Sequence, residues 1–133
     1  MRERPGRHDR DDRGSSPVEF VLVGALLTLL TLGVLELGLA VYVRNVVHDA
    51  AVEGAYRAAL ADETLADGAA RTRALISRAV GTAYAGDVTA TAQTLGGAPV
   101  VRVTVRAPLP LVGLLGAPRG LEVSADAPAE SFD

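Results

Sequence analysis

The sequence predicts an α+β protein: a long N-terminal membrane-spanning helix extending into a short helical region, and a small antiparallel sheet outside the membrane. Three observations predict it. Phe20 to Val43 is an apolar run of bilayer-crossing length, interrupted by one charge, Glu36. The following segment, RNVVHDAAVEGAYRAAL, keeps apolar and charged positions at helical spacing. Further on, VVRVTVRA alternates apolar and polar residues with the period of a half-buried strand.

Residues 1–14 come first, with five arginines among Glu3, Asp9, Asp11 and Asp12. Such a mixed segment reads as a disordered leader. It makes a poor nucleic-acid arm, because the acids cancel most of its field and no aromatic residue is present to stack on a base. All 13 basic residues of the 133-residue chain are arginine, and the net charge is -3.

The apolar run of about 24 residues would form a helix of about 36 Å, enough to span about 30 Å of hydrocarbon with some tilt. Its charge-free part, Phe20 to Leu35, is shorter, so a full crossing takes Glu36 into or near the apolar layer. A lone carboxylate deep in a membrane costs roughly 2.5–3.5 kcal/mol on insertion scales. Glu36 therefore calls for an interfacial position or a partner, and Arg44, about two turns away, is a stretch for a direct bond. Arginine density ahead of the run places the N-terminus in the cytoplasm and residues 45–133 outside. Gly24, Ala25, Gly33, Gly38 and Ala40 offer small surfaces to another helix. Thr28 and Thr31 can return their hydroxyls to the helix backbone. Two simpler readings compete: a secretory signal cut at the small residues Gly38 to Ala40, and a plain single-pass anchor.

The helix is expected to continue past the membrane, with Val46, Ala50, Tyr56 and Leu60 on its apolar side. Arg44, Asp49, Glu53 and Arg57 make the polar side, with Glu53 and Arg57 a favourable pair four residues apart. Gly54 marks either a close approach or a weak point. Ala61 to Asp67 reads as a turn with Asp62 or Thr64 as cap, before a second helix from Leu65 to about Val80. Leu75, Ile76 and Val80 supply its apolar contacts, while Arg71, Arg73 and Arg78 face solvent. Gly81 and Gly86 punctuate its end, and Asp87 to Leu95 reads as a strand that turns at Gly96-Gly97. In the next strand Val101, Val103, Val105 and Ala107 share one face, and Arg102, Thr104 and Arg106 the other. Pro108 and Pro110 then break the pattern, leaving Leu109, Leu111, Val112, Leu114 and Leu115 in an apolar loop. That loop would fill the core, lie on the membrane or meet another subunit. Leu121 to Ala127 is a third strand, followed by a loose tail. The expected division is 1–14 leader, 15–61 membrane helix and extension, and 62–133 a small outer region.

The chemistry-bearing residues are few. Cysteine is absent, which excludes disulfides and cysteine-ligated zinc. His8 and His48 are too few and too separated for a metal site. There is no GxSxG, HExxH or phosphate-binding loop. Glu19 and Glu36 stand about 25 Å apart on a straight helix, too far for paired acid–base chemistry. The expectation is a non-enzymatic protein without cofactor or metal.

Gly14, Ser15, Ser16, Pro17, Val18, Glu19 and Phe20, followed by a hydrophobic helix, resemble the class III signal of type IV pilin-like proteins. The run from Glu36 to Leu60 resembles TadE-like proteins of tight-adherence (Flp) pilus systems. Glu36, Asn45, Ala50, Ala51, Glu53, Gly54 and Ala55 carry that pattern, whereas Val52, Tyr56 and Arg57 depart from its commoner form. TadG-like relatives usually have a much longer extracellular region. The resemblance implies a pseudopilin or minor pilin cut after Gly14 by a membrane-embedded prepilin peptidase, with Ser15 as the new N-terminus. It implies assembly or register roles for Glu19, Phe20 and Glu36, with Glu19 meeting the Ser15 amine of a neighbouring subunit. The implied partners are the peptidase, other pilin or pseudopilin subunits, the inner-membrane assembly platform and the lipid bilayer. Physical chemistry is compatible with this: Gly14 fits a tight cleft, Pro17 is tolerated in a first helical turn, Ser15 or Ser16 can cap, and Glu19 in that turn would meet the helix's positive end.

Overall fold

The computed structural model describes residues 14–109 and 120–130. The leader ahead of Gly14, the apolar residues Leu111, Val112, Leu114 and Leu115, and the last three residues lie outside these. The elements are α1 (Ser15–Ala59), α2 (Leu65–Ala79), a 3-10 turn (Thr82–Tyr84), and strands β1 (Asp87–Leu95), β2 (Ala98–Ala107) and β3 (Leu121–Pro128). The α+β class and the order of elements are those the sequence predicts. The chain divides into two compact units, Met1–Leu35 and Glu36–Asp133.

In the first unit α1 is exposed on every side from Ser15 to Leu35. The Thr28 and Thr31 hydroxyls donate to Gly24 O and Leu27 O, both at 2.8 Å, so neither needs an outside partner.

The second unit is built on an antiparallel sheet in the order β1-β2-β3. Gly96 and Gly97 join β1 to β2 with φ of 59° and 87°, the left-handed conformation that a two-residue hairpin demands. Register sets Val105 between Val88 and Val123, and Val103 between Ala90 and Ala125. Val101, Val103, Val105, Ala107, Leu121, Val123, Ala125 and Ala127 are buried on the inner face. On the outer face Arg102 forks onto Asp126 (2.6 and 2.7 Å), Thr104 meets Ser124 (3.0 Å) and Arg106 meets Glu122 (2.9 Å). The Arg102 hydrogen bonds hold the Asp126 carboxyl below its ordinary pKa. These cross-strand pairs are the unit of sheet stabilisation.

Residues 36–59 of α1 bury Val43, Val47, Ala50, Ala51, Gly54, Ala55, Ala58 and Ala59 in one core with Ile76 and the inner strand residues. This corrects the apolar side expected from spacing. Tyr56 is 57% exposed and Leu60 also faces out, because at about 100° per residue they lie on the far side of the helix from the buried Gly54 and Ala58. The expected Glu53–Arg57 pair is absent as well: Glu53 accepts from Arg71 at 3.2 Å, and Arg57 pairs with Glu63.

α2 starts with a capping box. The Thr64 hydroxyl accepts from the Asp67 amide (3.2 Å) and the Asp67 carboxylate accepts from the Thr64 amide (2.9 Å). Hydrogen bonds from the Thr64 side chain and backbone lower the Asp67 pKa. Ile76 is buried and Leu75 and Val80 are half-buried, as spacing predicts. Gly68, Ala69 and Thr72 are buried too. Arg73 is exposed, yet its guanidinium donates to Val88 O at 2.7 Å and ties α2 to β1.

The tail is not loose where it is described. Pro128 belongs to β3, the Ala129 amide donates to Pro99 O and the Glu130 amide to Ala59 O, each at 3.0 Å. The second of these fastens the exit of β3 to the end of α1.

Candidate processing and assembly site

Gly14 immediately precedes α1 and is exposed, with no atom within 4 Å of the Cβ an alanine would add. Packing among the described residues does not demand glycine there. Ser15 and Ser16 are already helical, so neither occupies the cap position expected of them. Pro17 is the third helical residue, where its missing N–H removes no helical bond. Glu19 falls one residue beyond the first turn, which holds no acidic residue. Its attraction to the helix's positive end is correspondingly reduced, since that effect fades within the first turn. Phe20 is 81% exposed.

The exposed apolar residues continue along this unit, and α1 carries a segment long and apolar enough to cross a membrane. Gly24, Gly33 and Gly38 have open space where a Cβ would stand, so their small size is unused among the described residues.

In the second unit Glu36 is half-exposed, and among the described residues neither Glu19 nor Glu36 has an ion-pair partner. Arg44 is exposed and does not fold back onto Glu36, and Asn45 is exposed beside it. Of the remaining pattern positions, Ala50, Glu53 and Gly54 meet α2. Ala50, Ala51, Gly54 and Ala55 are buried, and Glu53 stays at the surface on Arg71. A Cβ at Gly54 would lie 1.8 Å from Thr72 Oγ1 and 2.7 Å from Gly68 O; one at Gly68 would lie 2.4 Å from Ala58 Cβ. The two helices therefore cross backbone to backbone. Thr72, fully buried, shares its hydroxyl hydrogen between Gly68 O (3.0 Å) and Ala50 O (3.2 Å).

Sequence reasoning did not find Gly68 and Thr72. The available signal was a matched pair of small stretches, Gly54-Ala55 and Gly68-Ala69-Ala70, on consecutive helices. A shallow groove beside the crossing passes Asp49, Glu53, Arg71 and Leu75. Among the described residues no group of three His, Asp or Glu side chains could hold a metal ion.

Residues 14–55 match the family model described as TadE-like protein. The match opens on Gly14 and closes on Ala55, the same limits as the signal and the small-residue pattern, and covers about a third of the chain. No curated protein and no solved structure matches. TadE-like proteins are structural pilus components.

Proposed function

Starting from a chain whose residues 14–55 are TadE-like, we propose that it is a pseudopilin or minor pilin of a tight-adherence (Flp) pilus or related secretion apparatus. The observation that carries this is a family match beginning on the glycine that directly precedes a bare, bilayer-length apolar helix. A prepilin peptidase hydrolyses the Gly14–Ser15 amide: water adds, the leader leaves with a Gly14 carboxylate, and Ser15 gains a free amine. The mature chain stays in the cytoplasmic membrane with its outer region extracytoplasmic. It then enters or supports an assembly through its platform and neighbouring subunits. Glu19 pairs with the Ser15 amine of a neighbour, and Glu36 meets a group outside this chain. A charge left unpaired in a low dielectric is costly, so each pair would enforce register.

The absence of lysine makes the test simple, because the only primary amine is the chain's own N-terminus. Amine tagging and mass analysis of the membrane-extracted protein should place the tag on Ser15, and Gly14→Ala should leave it on the leader. A tag found only on Met1 in the wild-type chain supports a plain anchor, and one near Val41 supports secretion. Deletion of the protein should abolish pilus assembly, restored by the wild-type chain but not by Gly14→Ala.

A further inference from the structure

Resting on the processing reading above, we infer that Ser16, Pro17 and Glu19 provide a second start for α1, a capping box that frees the Gly14–Ser15 bond from the helix for cleavage. In the structure α1 begins at Ser15, with Ser15 and Ser16 both helical ahead of Pro17. That start contains a conflict. A proline ring crowds the residue before it and disfavours helical geometry there. Proline suits the first helical position, with a non-helical cap residue preceding it.

Moving the start by two residues removes the conflict. Ser16 becomes the cap, Pro17 the first helical residue and Glu19 the third. Serine followed three residues later by glutamate is the capping-box pattern, in which Ser16 Oγ accepts from the Glu19 amide and the Glu19 carboxylate accepts from the Ser16 amide. This chain builds the same device at Thr64 and Asp67, with both reciprocal bonds in place.

The two starts distribute the backbone bonds differently. With helical pairing from Ser15, the Gly14 and Ser15 carbonyls are held by the Val18 and Glu19 amides. The Gly14 carbonyl is the group that water must attack. In the shifted start the Glu19 amide turns to Ser16 Oγ, both carbonyls are released, and the chain ahead of Ser16 is free to extend. Among the described residues no packing opposes the change, since residues 14–20 are all exposed. Glu19 thereby has a capping function that needs a hydrogen-bond acceptor, separate from a register function that needs a charge. Glutamine serves the first and not the second.

The test follows cleavage of the full-length chain in membranes by its prepilin peptidase, read by intact mass. Ser16→Ala and Glu19→Ala should each be cut about five-fold more slowly, the factor a lost cap is worth. Ser16→Thr and Glu19→Gln should recover most of that rate. Pro17→Ala, which relieves the crowding that disfavours the Ser15 start, should also slow cleavage. Amide exchange in detergent micelles should show Ser15 more open in the wild-type chain than in Ser16→Ala. Wild-type rates for Ser16→Ala and Glu19→Ala, with Ser15 as the new terminus, overturn the capping box alone. Equal slowing of Glu19→Gln and Glu19→Ala also overturns it, by assigning the effect to charge. No cleavage of the wild-type chain at Gly14 overturns the processing reading itself.

Discussion

Alanine at Gly54 tests the helix crossing inside the second unit. Its Cβ would sit 1.8 Å from Thr72 Oγ1, 2.7 Å from Gly68 O and 3.2 Å from Thr72 Cβ. A hydroxyl can rotate away, but the Gly68 carbonyl is backbone and moves only if α2 moves. Overpacking of this kind costs about 1–3 kcal/mol. Displacing Thr72 from Ala50 O and Gly68 O leaves a fully buried hydroxyl short of partners, about 1–3 kcal/mol more. Against this, alanine is favoured over glycine inside a helix by about 1 kcal/mol. The expected net loss is about 1–5 kcal/mol, or roughly 5–25 °C in Tm for a unit of this size. Thermal unfolding of the detergent-solubilised protein by circular dichroism measures it. Gly24→Ala and Gly33→Ala are the controls, since both positions have open space. Adding Thr72→Ala should recover only part of the loss, because the contact with Gly68 O remains. A Gly54→Ala protein as stable as wild type would refute the crossing geometry.

Four further outcomes follow from the same unit. Thr64→Ala removes the capping box of α2 and should cost about 1 kcal/mol, seen as faster amide exchange in its first turn and a lower Tm. Ile76→Ala empties a fully buried site and should cost about 2–5 kcal/mol in chemical denaturation. Glu53→Gln breaks an exposed pair with Arg71 and should change stability by less than about 1 kcal/mol, so that an assembly defect in a stable variant would point to an outside contact at Glu53. Asp67 and Asp126 both have lowered folded-state pKa values, from the Thr64 hydrogen bonds and from the Arg102 hydrogen bonds. Their stabilisation is complete above the unfolded value near pH 4 and is lost as pH falls through the lower folded values. Tm should therefore drop below about pH 4, and Asp126→Asn should flatten part of that drop.

The sheet was legible because its information is local. Alternation in Val101 to Ala107 assigns each side chain to a face, and Gly96-Gly97 names the turn, so the register follows without knowledge of what packs on it. The inner face of α1 was obscured because Val43, Ala50, Gly54 and Ala58, although they share one side at helical spacing, are all small, and only the close approach of Gly68 and Thr72 shows what that size is for. Side-chain size misled there: Tyr56 and Leu60 look like anchors, but helical phase puts them on the far side from Gly54 and Ala58. The ion pairs were misread because Glu53 and Arg57 each find a partner beyond α1. At the candidate processing site Gly14, Pro17 and Glu19 could be picked out as residues, but not the helix start at Ser15. Competing local preferences meet there, and a few backbone bonds decide between them.

The bond from the Glu130 amide to Ala59 O has a mechanical meaning. Force reaching the second unit through α1 would otherwise act first on the turn between α1 and α2. The clasp at Glu130, continued by Ala129 on Pro99, offers that force a parallel route into β3 and the middle of the sheet. There the load is shared with a hydrogen-bonded sheet, which helps keep the end of α1 from being peeled away.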